Sequence, residues 1–216
     1  MSEQAEAVLF DLDGVIVDTA EYHFQSWREL ADEIGITTFT RERNELLKGV
    51  SRMRSLEILL DGAEYSDEEK AAMAERKNER YREAIQAIRR SDALPGAVET
   101  VSELRRRGIK TALASSSKNA RTVIRLMEME DWFDGIVDGT MIENSKPDPE
   151  VFLKAAKLCG AAPERCVVVE DAAAGIEAGL SGGMRTLGIG KPEGLPGAHR
   201  VVPDLSHITV DEILAL

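Results

Sequence analysis

The segment Val8-Leu9-Phe10-Asp11-Leu12-Asp13-Gly14 runs from apolar residues onto two carboxylates and a glycine. An apolar run of this kind reads as a buried strand of a parallel sheet, and such sheets bind ligands at the carboxyl ends of their strands. Asp11 and Asp13 therefore fall on the active edge. Their spacing of two puts both side chains on one face of an extended segment, and Gly14 lets the backbone turn sharply beyond them. Two like charges so close repel unless a cation or a proton separates them. A hard divalent ion such as Mg²⁺ suits the place, since it accepts a few carboxylate oxygens together with the phosphate oxygens of a substrate. Asp and Gly are also ordinary turn residues, so the motif gains force from two further stretches. Ala112-Leu113-Ala114-Ser115 and Val167-Val168-Val169-Glu170-Asp171 also pass from buried-strand composition into polar residues.

The next convincing strand after the first is Lys110–Ala114, far later in the chain than the dozen or more residues that a parallel crossover needs. The intervening stretch reads as helical. Asp18-Thr19-Ala20-Glu21 has the pattern of a capping box, and Phe24, Trp27, Leu30 and Ile34 follow at helical spacing, with Gly35 as a stop. Ser66-Asp67-Glu68-Glu69 is a second box, opening a stretch to about Arg90 with Met73, Tyr81, Ile85 and Ile88 on one face. A helical cap domain over residues 19–90 is thus inserted in the loop that leaves the first strand, with Gly14–Asp18 and Ser91–Gly96 as candidate hinges. The core domain is 1–18 with 91–216. In it, helices are expected over Gly96–Arg107, Asn119–Met129, Ala173–Leu180 and from Asp148-Pro149 to Gly160, with Asp148 as N-cap and Pro149 as first helical residue. Strands at Ile136–Val137, Cys166–Glu170, Arg185–Ile189 and Arg200–Val202 complete an α/β alternation, the mark of a doubly wound parallel sheet with a Rossmann-like core.

The chain has 216 residues, enough for one or two domains with a sizeable core, and its 43% hydrophobic content excludes a wholly disordered chain. A net charge of −12 argues against a general nucleic-acid binder, yet a few local cations suffice for a small phosphorylated substrate. Cys159 and Cys166 lack the spacing of a redox pair or zinc half-site and read as buried, reduced thiols. Neither a basic, apolar N-terminal leader nor a run approaching about 18 apolar residues occurs, so a soluble cytoplasmic protein is expected.

Asp11 leads as nucleophile, because no Ser-His arrangement or reactive-cysteine signature competes with it. Attack on phosphorus would give an aspartyl phosphate, and Asp13 could donate a proton to the leaving oxygen and later take one from the acceptor. Glu170 and Asp171 are the remaining metal ligands. Ser115 and Lys146 would complete a phosphate cradle with a hydroxyl and a cation. Taken singly, Ser115 reads as a turn or cap hydroxyl, Lys146 as a surface lysine in a proline-rich turn, and His23 as an exposed or hydrogen-bonded histidine. Lys48-Gly49-Val50-Ser51-Arg52 is a basic break between helices, suited either to phosphate or to water.

Together, Asp11-Leu12-Asp13-Gly14, Ser115, Lys146-Pro147 and Glu170-Asp171 resemble the four signature motifs of the haloacid-dehalogenase-like phosphotransferase superfamily. Asp18–Phe24, Leu47–Arg52, Ala114–Asn119 and Pro203–His207 resemble its branch of β-glucose-phosphate mutases, and the likeness runs from about Ala7 to Leu214. The resemblance implies a Mg²⁺-dependent interconversion of β-D-glucose 1-phosphate and β-D-glucose 6-phosphate through the 1,6-bisphosphate. By it, Asp11, the backbone carbonyl of Asp13, Glu170 and Asp171 bind the metal. Ser115, Ser116 and Lys146 hold the transferring phosphate, and Arg52, Ser117, Lys118 and Asn119 hold the other. His23 couples cap closure to Asp13 and Lys48 contacts substrate, while Thr19, Gly49, Val50, Ser51, Trp27, Lys77 and Asn78 belong to the cap side of the site. The implied partner is a small phosphorylated sugar, bound by a monomer with no nucleic-acid or membrane partner. Two residues depart from the pattern: Ser116 stands where it has alanine, and Ala172 where it has serine.

A phosphatase of the same fold, with water as acceptor, is the alternative. His23 and the Lys48–Arg52 loop favour the mutase, because a second phosphate has to be gripped at the far end of the sugar. A phosphonate-cleaving relative would need a Schiff-base lysine that cannot be singled out, and a non-catalytic metal- or phosphate-binding module is disfavoured by the intact Asp11 and Asp13.

Overall fold

Six short strands form one parallel sheet. β1 (Ala7–Phe10), β2 (Lys110–Ala114), β3 (Gly135–Val137), β4 (Cys166–Glu170), β5 (Arg185–Ile189) and β6 (Arg200–Val202) lie in the order β3-β2-β1-β4-β5-β6. This is the doubly wound α/β sheet that the sequence pattern predicts. The computed structural model describes residues 4–47 and 50–216. All four residues of β1 are buried, as suits a strand covered on both faces. Phe10 is in register with Leu113 on one side and Val169 on the other. One residue on, the Asp11 N–H donates to the Val169 carbonyl at 2.9 Å. Asp11 thereby leaves the sheet level with the ends of β2 and β4.

The described residues divide into two units, one comprising the chain through Asp18 together with Arg89–Leu216, the other Thr19–Ile88. The second unit holds α1 (Ala20–Glu33), α2 (Arg41–Glu45), α3 (Arg52–Leu60) and α4 (Asp67–Ala84), packed around Trp27, Leu30, Phe39, Leu56, Leu59 and Met73. The first holds α5 (Ala97–Arg106), α6 (Ala120–Leu126), α7 (Glu150–Cys159), α8 (Ala173–Ser181) and α9 (Val210–Leu214) about the sheet. Val151, Phe152 and Ala155 of α7 share one core with Leu9, Ala112 and Val168 of the central strands. Burial of Val151 and Phe152 alone stabilises this seat by about 1.5–3 kcal/mol each, so α7 is a fixed frame beside the strand ends.

Several boundaries differ from the sequence reading, each for a local reason. The box at Ser66 forms, with Glu69 returning to it, but the one at Asp18 does not. Thr19 is the N-cap of α1 without a side-chain capping bond, and the Glu21 carboxylate is taken by Arg41 and Gln25. α4 ends at Ala84, and the chain continues in 3₁₀ turns at Ile85–Ala87 and Arg90–Asp92. α6 stops at Leu126 because Glu128 takes φ 55° and folds the chain back, so that the Met129 N–H reaches the Ile124 carbonyl. Pro149 occupies the N-cap position of α7 rather than its first turn, and Asp148 Oδ1 accepts from the Glu150 N–H at 2.9 Å. Cys159 and Cys166 are free and buried; burial pushes their thiols up to about 11 and about 12, which leaves them poor nucleophiles. No helix among the described residues is long and apolar enough to cross a membrane.

Candidate active site

The end of β1, the end of β4 and the loop before α7 bring three charged side chains together. Lys146 Nζ lies 2.5 Å from Asp11 Oδ1 and 2.6 Å from Glu170 Oε1, and donates also to the Ala114 carbonyl at 3.3 Å. All three residues are buried. Lys146 is thus no surface lysine, and the Phe152 ring, 4.8 Å from its ammonium, closes it off further. Burial works against the charged ammonium, but Asp11 and Glu170 outweigh it and hold the lysine pKa above its usual value. Burial raises the Asp11 carboxyl well above the usual range, assisted by Glu170, Asp13 and Asp171 and opposed by Lys146.

Oxygens of Asp11, Glu170 and Asp171 lie within 4.8 Å of one another. The donor set is all hard oxygen, and Asp13 adds a fourth carboxylate to the field at Asp11, opposed among the described residues by the cation Lys146. A divalent ion fits such a surplus of negative charge. Two glycines make room for these carboxylates. A Cβ on Gly14 would lie 2.1 Å from Asp171 Oδ2, and one on Gly175 would lie 1.9 Å from Glu170 Oε1. Gly14 also takes φ 78°, a conformation that only glycine adopts freely.

The loop after β2 is tied by its own hydroxyls. Ser115 Oγ accepts from the Ser117 N–H at 3.1 Å, and Ser117 Oγ from the Asn119 N–H at 3.2 Å. Ser115 and Asn119 are buried and Lys118 is exposed. The Ser115 N–H donates to the Val137 carbonyl and the Gly139 N–H to the Ser117 carbonyl, which fixes the loop against the end of β3. Ser116 Oγ is buried with no hydrogen-bond partner.

In the helical unit, α1 and α4 bring His23, Trp27, Lys77 and Tyr81 into one cluster. Lys77 Nζ is 2.7 Å from His23 Nδ1 and 4.8 Å from the centroids of both Trp27 and Tyr81. The His23 and Tyr81 rings stack at 4.1 Å. Loss of hydration, then the charges of Lys77 and Arg52, hold the His23 imidazole well below its ordinary pKa. Arg52, at the start of α3, pairs with Glu75 at 3.3 Å, and Asn78 Nδ2 donates to the same carboxylate at 3.4 Å. Ser51 caps α3 by accepting from the Arg54 N–H, Thr19 is buried at the head of α1, and Val50 is half-buried. Lys48 and Gly49 lie outside the described residues.

Tyr81, Glu75, Gly175 and Phe152 went unmarked as site residues in the sequence. Tyr81 had a signal, since it follows Lys77 by four residues on one helix and so shares its face. Glu75 meets Arg52 from another helix, and Gly175 and Phe152 meet Glu170 and Lys146 across turns whose spacing fits neither a helix nor a strand.

A buried carboxylate, a lysine and an acidic pair stand at the carboxyl edge of a Rossmann-like sheet, and their carboxylates could hold a metal ion. A model of the haloacid dehalogenase-like hydrolases matches residues 5–183, and the chain belongs to that family. It is 44% identical over 210 residues to the β-phosphoglucomutase of Bacillus subtilis (strain 168), covering 95% of this chain and 92% of that protein. It is 32% identical over 184 residues to a phosphorylated carbohydrates phosphatase of Thermotoga maritima, covering 84% and 83%. The crystal structure of a β-phosphoglucomutase from Clostridium difficile matches with a TM-score of 0.92 at 42% identity, over 96% of this chain and 94% of that one.

Proposed function

We propose that this chain is a β-phosphoglucomutase, an isomerase that interconverts β-D-glucose 1-phosphate and β-D-glucose 6-phosphate through β-glucose 1,6-bisphosphate. The observation that carries the reading is the buried Asp11 carboxylate, held against Lys146 and within reach of Glu170 and Asp171 at the sheet's carboxyl edge. The similarity to β-phosphoglucomutases over nearly the whole chain supports the choice of sugar and of a phosphosugar acceptor.

In this reading the Asp11 carboxylate attacks phosphorus, the bond to the departing sugar oxygen breaks, and Asp13 gives that oxygen its proton. The phosphoryl group then passes from Asp11 to the 6-hydroxyl of glucose 1-phosphate, whose proton Asp13 takes, and the bisphosphate forms. Turned about, the bisphosphate returns its 1-phosphoryl group to Asp11, Asp13 reprotonates the 1-oxygen, and glucose 6-phosphate leaves. Lys146, Ser115 and the backbone N–H of Ser116 hold the moving phosphoryl oxygens. Arg52, Ser117, Lys118 and Asn119 hold the other phosphate. His23, Lys77, Trp27, Asn78, Thr19 and the Lys48–Ser51 segment serve the sugar side, with His23 coupling closure of the helical unit to Asp13. Asp11, Glu170, Asp171 and the Asp13 carbonyl would hold Mg²⁺, which when bound would supply positive charge to screen the carboxylate from the phosphate. The enzyme acts in the cytoplasm as a monomer on this small substrate, with neither nucleic acid nor membrane as partner.

The test is incubation with β-glucose 1-phosphate, Mg²⁺ and a trace of the bisphosphate, with glucose 6-phosphate and free phosphate measured separately. Glucose 6-phosphate formed without matching phosphate release is the expected result, and Asp11→Asn abolishes it. Release of free phosphate alone would assign the chain to the phosphatases, in company with its Thermotoga maritima relative.

A further inference from the structure

We infer that Glu150 is a positioning residue for Lys146, clamping the backbone segment that delivers the ammonium to Asp11. The inference rests on the reading above, in which Lys146 holds the transferring phosphate. Glu150 opens α7, four residues after the lysine. Its Oε2 accepts from the Asn144 N–H at 2.8 Å, the Asn144 side-chain amide at 3.2 Å and the Glu143 N–H at 3.1 Å. Its Oε1 accepts from the Glu143 N–H at 3.1 Å and from Lys154 Nζ at 2.6 Å. Lys154, one turn further along α7, also donates to the Met141 carbonyl at 2.5 Å.

The segment so gripped, 141–144, leads directly into Ser145 and Lys146. Glu143 and Asn144 are exposed, so water could have satisfied their N–H groups, and their burial does not account for a carboxylate spent on both. The grip has a firm base. Val151 and Phe152, the next two residues of α7, are fully buried in the core shared with the central strands, and the Phe152 ring lies 4.8 Å from the Lys146 ammonium. The start of α7 therefore fixes the lysine at both ends, the backbone through Glu150 and the ammonium beside Phe152. Lys154, then the Asn144 and Glu143 N–H groups, hold the Glu150 carboxyl down at about 2, so it stays an anion wherever the enzyme works.

A double-mutant cycle tests this, since residues acting through one another are non-additive. Phosphate release from acetyl phosphate with Mg²⁺ is measured for the wild type, Glu150→Ala, Lys146→Ala and the double variant. Glu150→Ala is expected to slow turnover about tenfold, the scale of a small misplacement of a positioned group, and to have an effect within about twofold of none once Lys146 is gone. Glu150→Gln, which keeps the volume and one acceptor, should recover part of the loss. The same cycle run on the affinity for inorganic phosphate, by calorimetry, needs no residual turnover and should show the same pattern. An equal loss from Glu150→Ala with and without Lys146, or no loss in either measurement, overturns the inference. Acetyl phosphate carries no sugar, so a chain that shows this coupling but forms no glucose 6-phosphate would count against the mutase reading and leave Glu150 in its role.

Discussion

Gly175 and Glu170 are packed so closely that a methyl group cannot come between them: a Cβ on Gly175 would lie 1.9 Å from Glu170 Oε1 and 2.5 Å from its Cγ. The carboxylate has no free path of retreat, because Oε1 is bonded to Lys146 and Oε2 to the Ala172 N–H. Gly175→Ala must therefore shift Glu170 or the first turn of α8, and overpacking of this kind costs about 1–3 kcal/mol. The expected outcome is a lower melting temperature together with weaker Mg²⁺ binding by calorimetry. A variant with wild-type metal affinity would remove Glu170 from the ligand set.

The contact between Lys77 and His23 sets a second expectation. The ammonium offers only donors, so His23 Nδ1 accepts and the ring proton sits on Nε2. The folded imidazole titrates well below its ordinary value, whereas in the unfolded chain it takes up a proton near pH 6.5. The unfolded state then binds more protons than the folded one below that pH, and stability falls on acidification. Lys77→Met removes the second of the causes, so the His23 resonances should titrate at higher pH in that variant by NMR, and its urea stability should decline less between about pH 7 and pH 5.5. Unchanged His23 resonances would show that burial and Arg52, without Lys77, set the imidazole.

The strands and their polar ends were legible because each is a short apolar run ending on Asp, Ser or Glu-Asp, and burial on both faces leaves that composition on the chain. Cys166–Glu170 and Arg185–Ile189 match to the residue. Helix starts were read less well where a tertiary partner competes, as Arg41 does for Glu21. Lys146 could be suspected only in company, since nothing in Ser145-Lys146-Pro147 says that its ammonium is buried between two acids. Glu75 left no trace of its pairing with Arg52, which lies far from it in sequence, and the turn that brings the Phe152 ring back over Lys146 follows no regular spacing.

The Ser116 hydroxyl is buried without a hydrogen-bond partner. An unsatisfied buried polar group costs about 1–3 kcal/mol. Ser116→Ala should therefore raise the urea midpoint of the ligand-free protein, with an unchanged slope. The same variant, assayed for inorganic-phosphate affinity, separates two roles. Undiminished affinity leaves only the Ser116 backbone N–H as a phosphate donor, and a loss shows that the side chain turns to the ligand when it binds.

Arg52 bears on what makes the chain a mutase. The bisphosphate has to be held with either phosphate facing Asp11, so the distal grip must accept both. A guanidinium is permanently charged and planar, and matches phosphate oxygens in pairs. Arg52 sits at the first turn of α3, directly after the Ser51 cap, and its side chain is held by Glu75 at 3.3 Å. That ion pair is partly exposed, so its loss costs at most about 1 kcal/mol of stability. Loss of a charge-assisted bond to phosphate is worth about 1.5–3 kcal/mol, which corresponds to roughly 10- to 100-fold in mutase turnover. Arg52→Ala should show that fall with β-glucose 1-phosphate while acetyl phosphate, which has no distal phosphate, still phosphorylates Asp11 at nearly the wild-type rate. A parallel fall in both reactions would place Arg52 in the transfer site or in the stability of the helical unit. An unaltered mutase rate would leave Arg52 as the partner of Glu75 alone and would place the distal grip on Ser117, Lys118 and Asn119.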